Sequence, residues 1–147
     1  MFSALVAPIR QVVHALVAAN SPSQLAAGFA LGMIIGFLPK GNLIALSLCV
    51  LLFSLRCNKG LALVAAVLFS CVATWIDPFA HKVGLAVLSM PSMQANYALA
   101  FALPLGPWLG FHNTVVTGSL MMGLYAAYPV FWLTKTFCAV IQRRAAR

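Results

Sequence analysis

The sequence predicts an all-α, polytopic membrane protein that contains re-entrant helical hairpins. Its 147 residues are 63% hydrophobic and 7% charged, whereas a soluble domain is about a quarter charged. Apolar runs of helical length alternate with short polar breaks that contain Pro or Gly. Several runs are shorter than the roughly 20 residues that a spanning helix needs, so some should enter and leave the membrane on one side.

The charge balance favours a membrane surface over nucleic acid as the partner. Nine Lys and Arg residues stand against one acid, Asp77, and they lie at the ends of apolar runs. This placement fits contacts with anionic headgroups and an excess of positive charge on the cytoplasmic side. We therefore expect lipid partners and no nucleic acid. We also expect residues 143–147 to form a basic cytoplasmic tail.

Residues 1–20 predict an amphipathic helix that lies in the membrane interface. Apolar side chains recur there at spacings of three and four, with Arg10 mainly on the other side. The alternative is an ordinary helix that covers the core of the bundle. No short basic region precedes an apolar core of signal-peptide proportions, so we expect no cleaved leader. Residues 21–142 then form a single helical membrane domain.

Residues 21–55 predict the first hairpin. Ser21 and Pro22 are typical of a helix start, and that helix should run to Leu38. Its end is marked by a polar turn, and a shorter helix follows from Leu43 to Leu55. The turn residues are Pro39, Lys40, Gly41 and Asn42, of which Asn42 can cap the second helix.

Gly28, Gly32 and Gly36 repeat at every fourth position of the first predicted helix. Such a stripe of small residues lies on one face and lets another membrane helix approach closely. We expect a packing face here. The sequence does not identify the partner helix.

Residues 58–90 repeat the outline of the first hairpin. A helix over residues 61–76 should end at Asp77 and Pro78, and a shorter helix should cover residues 79–90. Arg56 and Lys59, which precede this segment, are expected to contact lipid headgroups.

Two further spans are expected, over residues 94–111 and 114–135. The first holds several Pro and Gly residues and must be bent or partly unwound, whereas the second is the clearest full crossing. A rival topology makes every apolar run a full crossing.

Lys40, Asp77 and His81 are the candidate residues of a substrate or ion site. Charges at membrane depth are costly, and they are candidates for function wherever they occur. Lys40 and Asp77 each lie beside a proline in segments of similar outline, so two hairpin tips could bring them together. The alternative makes Lys40 a surface flank and Asp77 a helix cap.

The remaining polar residues suggest no further chemistry. One carboxylate cannot supply an acid–base pair, so we expect no enzyme. No cluster has metal-ligand spacing, and we expect neither metal nor cofactor. The four cysteines fit small buried hydrophobic residues better than disulfides.

Residues 10–135 resemble the bacterial family catalogued as domain of unknown function 2062. The positions that carry the resemblance are Ser21, Pro22, Gly28, Gly32, Gly36, Pro39, Gly41, Arg56 and Asn58. Asp77 stands where this family more often has Asn. The resemblance implies a small, multi-pass protein of the bacterial inner membrane and implies no particular activity or ligand.

Two functions fit these observations. The first is transport or scrambling of lipid or another amphiphile in the cell envelope, which the broken helices and the candidate buried charges favour. The second is a non-transporting anchor or scaffold for a larger envelope complex, which the small size of the chain favours. In either role we expect a homo-oligomer or a subunit of a larger assembly.

Overall fold

The computed structural model describes residues 20–145, and this part of the chain is helical without strands. The predicted N-terminal helix and Arg10 lie outside the described residues. Five α-helices follow one another, with a short 3-10 helix at Gly106–Leu109. They are α1 Pro22–Phe37, α2 Leu43–Ser54, α3 Lys59–Leu88, α4 Pro91–Ala102 and α5 Thr114–Ala145.

The ends of α1 and α2 follow the local signals in the sequence. Ser21 caps α1, and its hydroxyl accepts a hydrogen bond from the Gln24 amide while the Gln24 side chain bonds back to the Ser21 amide. Asn42 caps α2 and accepts a hydrogen bond of 2.8 Å from the Ala45 amide. The first predicted hairpin is therefore present in the structure, with Gly41 at a φ of 93° in its turn.

The predicted break at Pro78 is wrong. α3 continues through Pro78 for 30 residues, so Asp77 lies inside a helix and caps nothing, and residues 58–90 form no hairpin. A proline inside a helix costs one backbone hydrogen bond and about 3 kcal/mol. Packing on both sides of Pro78 offsets this cost, because α1 contacts the first half of α3 and α5 contacts the second half.

The predicted span over residues 94–111 does not form one helix. α4 ends at Ala102, and the 3-10 helix follows after a turn, so the bent and unwound character expected of this segment is confirmed. α5 covers the whole of the last predicted span and continues to Ala145.

α1, α3 and α5 form a three-helix bundle, since their three pairings carry most contacts between helices. Its core includes Met33, Ile34 and Phe37 of α1 together with Val116 of α5. α3 runs parallel to α1, because Gly28 and Gly32 lie beside Asn58 and Ala62 in the same order. α5 runs back along both helices.

One end of this bundle gathers several chain segments, and we call it the basal end. The Asn58 amide donates to the Gln24 carbonyl at 3.1 Å, and the Gln142 side-chain amide donates to the Asn20 carbonyl at 2.8 Å. The beginning of α1, the beginning of α3 and the end of α5 therefore lie together. Four cations belong to these segments: Arg56, Lys59, Arg143 and Arg144.

α3 and α5 are the two described helices that are long and apolar enough to cross a membrane. Their most apolar windows are only 11% and 6% buried inside the protein, which is the reverse of a soluble core helix. Large apolar side chains point outward along both helices, and Trp75 and Tyr125 are 83% and 89% exposed. Such a surface suits lipid better than water.

Candidate functional site

The turn between α1 and α2, residues 39–42, is the centre of the candidate site, and we call it the hairpin tip. A cavity of about 210 Å³ lies between the tip and α3, where its lining runs from Ser70 to Asp77. Counted from Lys59 at 1.5 Å per residue, this part of α3 lies about 17 to 27 Å from the basal end. The hairpin tip packs beside this part of α3 and therefore lies at a similar distance from the basal end.

Lys40 closes the C-terminal end of α1. Its ammonium donates hydrogen bonds to the carbonyls of Ile35, Gly36 and Leu38 at 2.8, 3.2 and 2.9 Å. The last carbonyls of a helix have no intrahelical donors and carry the negative end of its dipole. A lysine at this position therefore stabilises the helix end.

Lys40 and Asp77 line the same cavity, as the sequence suggested they could. Within the described residues they form no ion pair, because the three hydrogen bonds of Lys40 go to carbonyls. The two residues are brought together by a hairpin tip and the middle of a continuous helix, and not by two tips. Pro78 has no N–H group to donate to the Thr74 carbonyl, and Thr74 lines this cavity as well.

A second, polar cavity lies on the other side of the tip, and we call it the polar tip pocket. Its volume is about 280 Å³, and Lys40 and Asn42 line it together with His112 and Asn113 from the turn before α5. Residues 107–116 close it, so segments about 70 positions apart in sequence build this pocket.

An apolar groove of about 540 Å³ runs from the tip along α2, and we call it the α2 groove. Ala45, Leu46 and Cys49 form one wall, and Leu105 and Trp108 form the other. Lys40, Gly41, Asn42 and Trp108 line both the α2 groove and the polar tip pocket, so the two cavities meet at these residues.

His81 does not join this site. It lines none of the three cavities at the tip, and its Nδ1 atom forms a 2.6 Å hydrogen bond with the Thr114 hydroxyl. This bond joins α3 to the beginning of α5. The histidine that lines the polar tip pocket is His112, which the sequence analysis did not select.

The glycine stripe of α1 lies against α3, and backbone atoms meet there directly. A Cβ atom built on Gly28 or Gly32 would collide with the carbonyl oxygen of Asn58 or Ala62, and one on Gly36 would stand 2.8 Å from the Ala66 carbonyl oxygen. A second close approach involves Gly84 of α3 and Gly118 of α5, which the sequence analysis missed. These contacts fix the position of the hairpin beside α3.

The expected headgroup contacts Arg56 and Lys59 are exposed at the basal end, where Lys59 also donates a 3.0 Å hydrogen bond to the Leu55 carbonyl. Among residues 20–145, no group of three or more His, Cys, Asp or Glu residues could hold a metal ion. The four cysteines are free thiols. Cys57 and Cys138 are buried, but Cys71 is exposed.

Residues 7–147 match the family described as an uncharacterized protein conserved in bacteria, DUF2062. The chain belongs to this family. An uncharacterized protein of Treponema pallidum (strain Nichols) is 31% identical over 131 residues, which cover 89% of this chain and 80% of that protein. No solved structure matches the chain.

The residues that carried the resemblance to DUF2062 lie at the two ends of the hairpin and along the face of α1 that packs against α3. Ser21 caps α1 at the basal end, and Pro39 and Gly41 form the tip. Asn58 is buried, caps α3 through a 2.7 Å hydrogen bond from the Leu61 amide, and touches Gly28. In this chain the pattern therefore encodes a hairpin of fixed length that is anchored on α3.

Proposed function

We propose that this member of DUF2062 is a multi-pass inner-membrane protein that takes part in the transport or scrambling of lipid or another amphiphile. One observation carries the proposal: a polar pocket and an apolar groove meet at a single cation on the hairpin tip. An amphiphile has the same two parts, a polar head and an apolar tail. A site for it needs both surfaces side by side.

The membrane placement follows from lengths and from the shared basal end. α3 and α5 measure about 45 and 48 Å at 1.5 Å per residue, whereas α1 and α2 measure about 24 and 18 Å. Both ends of the hairpin lie at the basal end, so the hairpin enters and leaves on one side while α3 and α5 cross. The placement that we propose makes this hairpin re-entrant.

The cations orient the protein. Arg56, Lys59, Arg143 and Arg144 belong to the basal end, and an excess of Lys and Arg favours the cytoplasmic side. The C-terminus and both ends of the hairpin then face the cytoplasm. The tip lies in the half of the membrane that is farther from the cytoplasm.

A polar site at this depth lowers the barrier for a headgroup that crosses the membrane. Moving a charged group into hydrocarbon without partners costs many kcal/mol, and most of this cost is removed when the group finds hydrogen bonds and an opposite charge. The polar tip pocket offers such partners to the head while the α2 groove and the surrounding lipid keep the tail in an apolar environment. Headgroup exchange by this route needs no alternating motion of the bundle.

Reconstitution into liposomes tests the proposal. The purified protein is added to vesicles that contain a fluorescent phospholipid, and dithionite bleaching measures how fast the lipid changes leaflet. We expect wild-type protein to accelerate exchange. Lys40→Gln should slow it by roughly tenfold, because the attraction between an ammonium and a phosphate about 4 Å apart is worth roughly 1–4 kcal/mol.

Lys82→Gln is the matched control, since it removes the same charge from an exposed position of α3 that lines none of the tip cavities, and it should leave exchange unchanged. If well-folded wild-type protein exchanges lipid no faster than vesicles without protein, a transport role is refuted. That result would favour the second function, an anchor or scaffold for a larger envelope complex.

A further inference from the structure

The point where the polar tip pocket meets the α2 groove suggests which part of a ligand lies there. Lys40, Asn42 and Trp108 line both cavities. If an amphiphile fills the polar tip pocket with its head and the α2 groove with its tail, the group that joins head and tail lies at these residues. In a glycerophospholipid that group is the phosphate.

The charges around the meeting point favour an anion. Among residues 20–145, Lys40 is the one charged residue that lines either cavity, and Asp77 lines the separate cavity between the tip and α3. Lysine binds phosphate as a point charge and does not need the planar geometry of arginine. His112 and Asn113 add polar side chains on the headgroup side.

We propose that the hairpin tip binds an anionic glycerophospholipid, with its phosphate at Lys40 and one acyl chain in the α2 groove. This inference rests on the site of the proposed function and names its substrate class. The groove has about 540 Å³, which lies within the 300–1,000 Å³ of ordinary ligand sites. Its apolar lining by Ala45, Leu46 and Leu105 suits an acyl chain.

Quenching of Trp108 by brominated lipids tests the proposal directly. The chain has three tryptophans, so Trp75→Phe combined with Trp132→Phe leaves Trp108 alone beside the groove. The probes are phosphatidylglycerol and diacylglycerol, an uncharged lipid that lacks the phosphate, both with brominated acyl chains and titrated into otherwise unlabelled vesicles. We expect phosphatidylglycerol to quench Trp108 at a mole fraction about tenfold lower, as one charged contact predicts.

A second single-tryptophan protein gives the control. Trp75 is 83% exposed on α3 and lines none of the tip cavities, so the two lipids should quench it equally. In the Trp108 protein, Lys40→Gln should abolish the preference for phosphatidylglycerol, whereas Lys40→Arg and Lys82→Gln should retain it.

Equal quenching of Trp108 by both lipids would overturn the proposal, as would a preference that survives Lys40→Gln. A competition experiment adds glycerol phosphate in solution to the vesicles. If it displaces the brominated lipid at equal concentration, the site binds a free phosphate ester instead of a lipid. Headgroup preference without lipid exchange would support this binding site and refute transport. Exchange without headgroup preference would refute the binding site alone.

Discussion

Gly32 is the position where the packing of the bundle can be tested most sharply. A Cβ atom added there would collide with the Ala62 carbonyl oxygen and would stand 2.8 Å from both the Cα and the carbonyl carbon of Ala62. All three atoms belong to the backbone, so no side chain can turn away to make room. Gly32→Ala therefore forces α1 away from α3.

The expected size of the effect follows from two opposing terms. Overpacking costs about 1–3 kcal/mol, and rigid backbone neighbours place this case at the upper end. Alanine regains about 1 kcal/mol over glycine through its higher helix propensity. We expect a net loss of about 2 kcal/mol, or roughly 4–8 °C in the unfolding temperature at 2–4 °C per kcal/mol.

Gly123→Ala is the matched control. Gly123 also faces α1, but its added Cβ would lie 3.4 Å from the nearest atom of Ile34, which is ordinary contact. This variant should gain up to about 1 kcal/mol from helix propensity. Unfolding of both variants is followed in detergent by intrinsic fluorescence and size-exclusion chromatography. If Gly32→Ala unfolds at or above the unfolding temperature of Gly123→Ala, α1 and α3 do not meet closely at Gly32. The larger change Gly32→Leu should prevent assembly altogether.

Two other variants test contacts that the sequence did not reveal. Asn58→Ala removes the cap of α3 and should cost about 1 kcal/mol of stability. Asn58→Ser keeps a cap oxygen, so it should recover most of this loss. Equal unfolding temperatures for Asn58→Ala and Asn58→Ser would refute the capping role. Gly118→Ala would collide with the Ala80 carbonyl oxygen, so it should destabilise the protein by about as much as Gly32→Ala. Thermal unfolding that matches wild type would show that α3 and α5 do not meet there.

The sequence predicted features that depend on a few neighbouring residues. Ser21 and Asn42 mark the starts of α1 and α2 because each cap is satisfied by an amide three positions later. The glycine spacing likewise predicted a packing face, although not its partner. These signals are local, and the structure contains the first hairpin as predicted.

Pro78 and the tip cavities depend on contacts between distant segments, and the prediction missed them for that reason. Proline favours a break only when nothing else holds the helix, but α1 and α5 hold the two halves of α3. The polar tip pocket brings residues 39–42 next to residues 107–116. The residue pattern within either segment does not indicate that the other segment lies beside it. The burial of Asn58 was missed as well, since its neighbours Arg56 and Lys59 made the segment look like a solvated turn.

Lys40 and Asp77 are the last pair to test, because they share a cavity without forming an ion pair. Lys40→Ala should destabilise α1 by freeing the carbonyls of Ile35, Gly36 and Leu38, whereas Asp77→Ala should have a small effect on stability. Sites that share no interaction partner usually give additive effects within about 0.5 kcal/mol, and the hydrogen bonds of Lys40 do not involve Asp77. We therefore expect the double variant to unfold at the temperature that the two single variants predict together. Lipid exchange should behave differently, because both residues line the cavity between the hairpin tip and α3, and the double variant should be no slower than Lys40→Ala. A coupling above about 1 kcal/mol in thermal unfolding would show a direct bond between the two side chains, and additive losses in exchange would show that Asp77 acts apart from the hairpin tip.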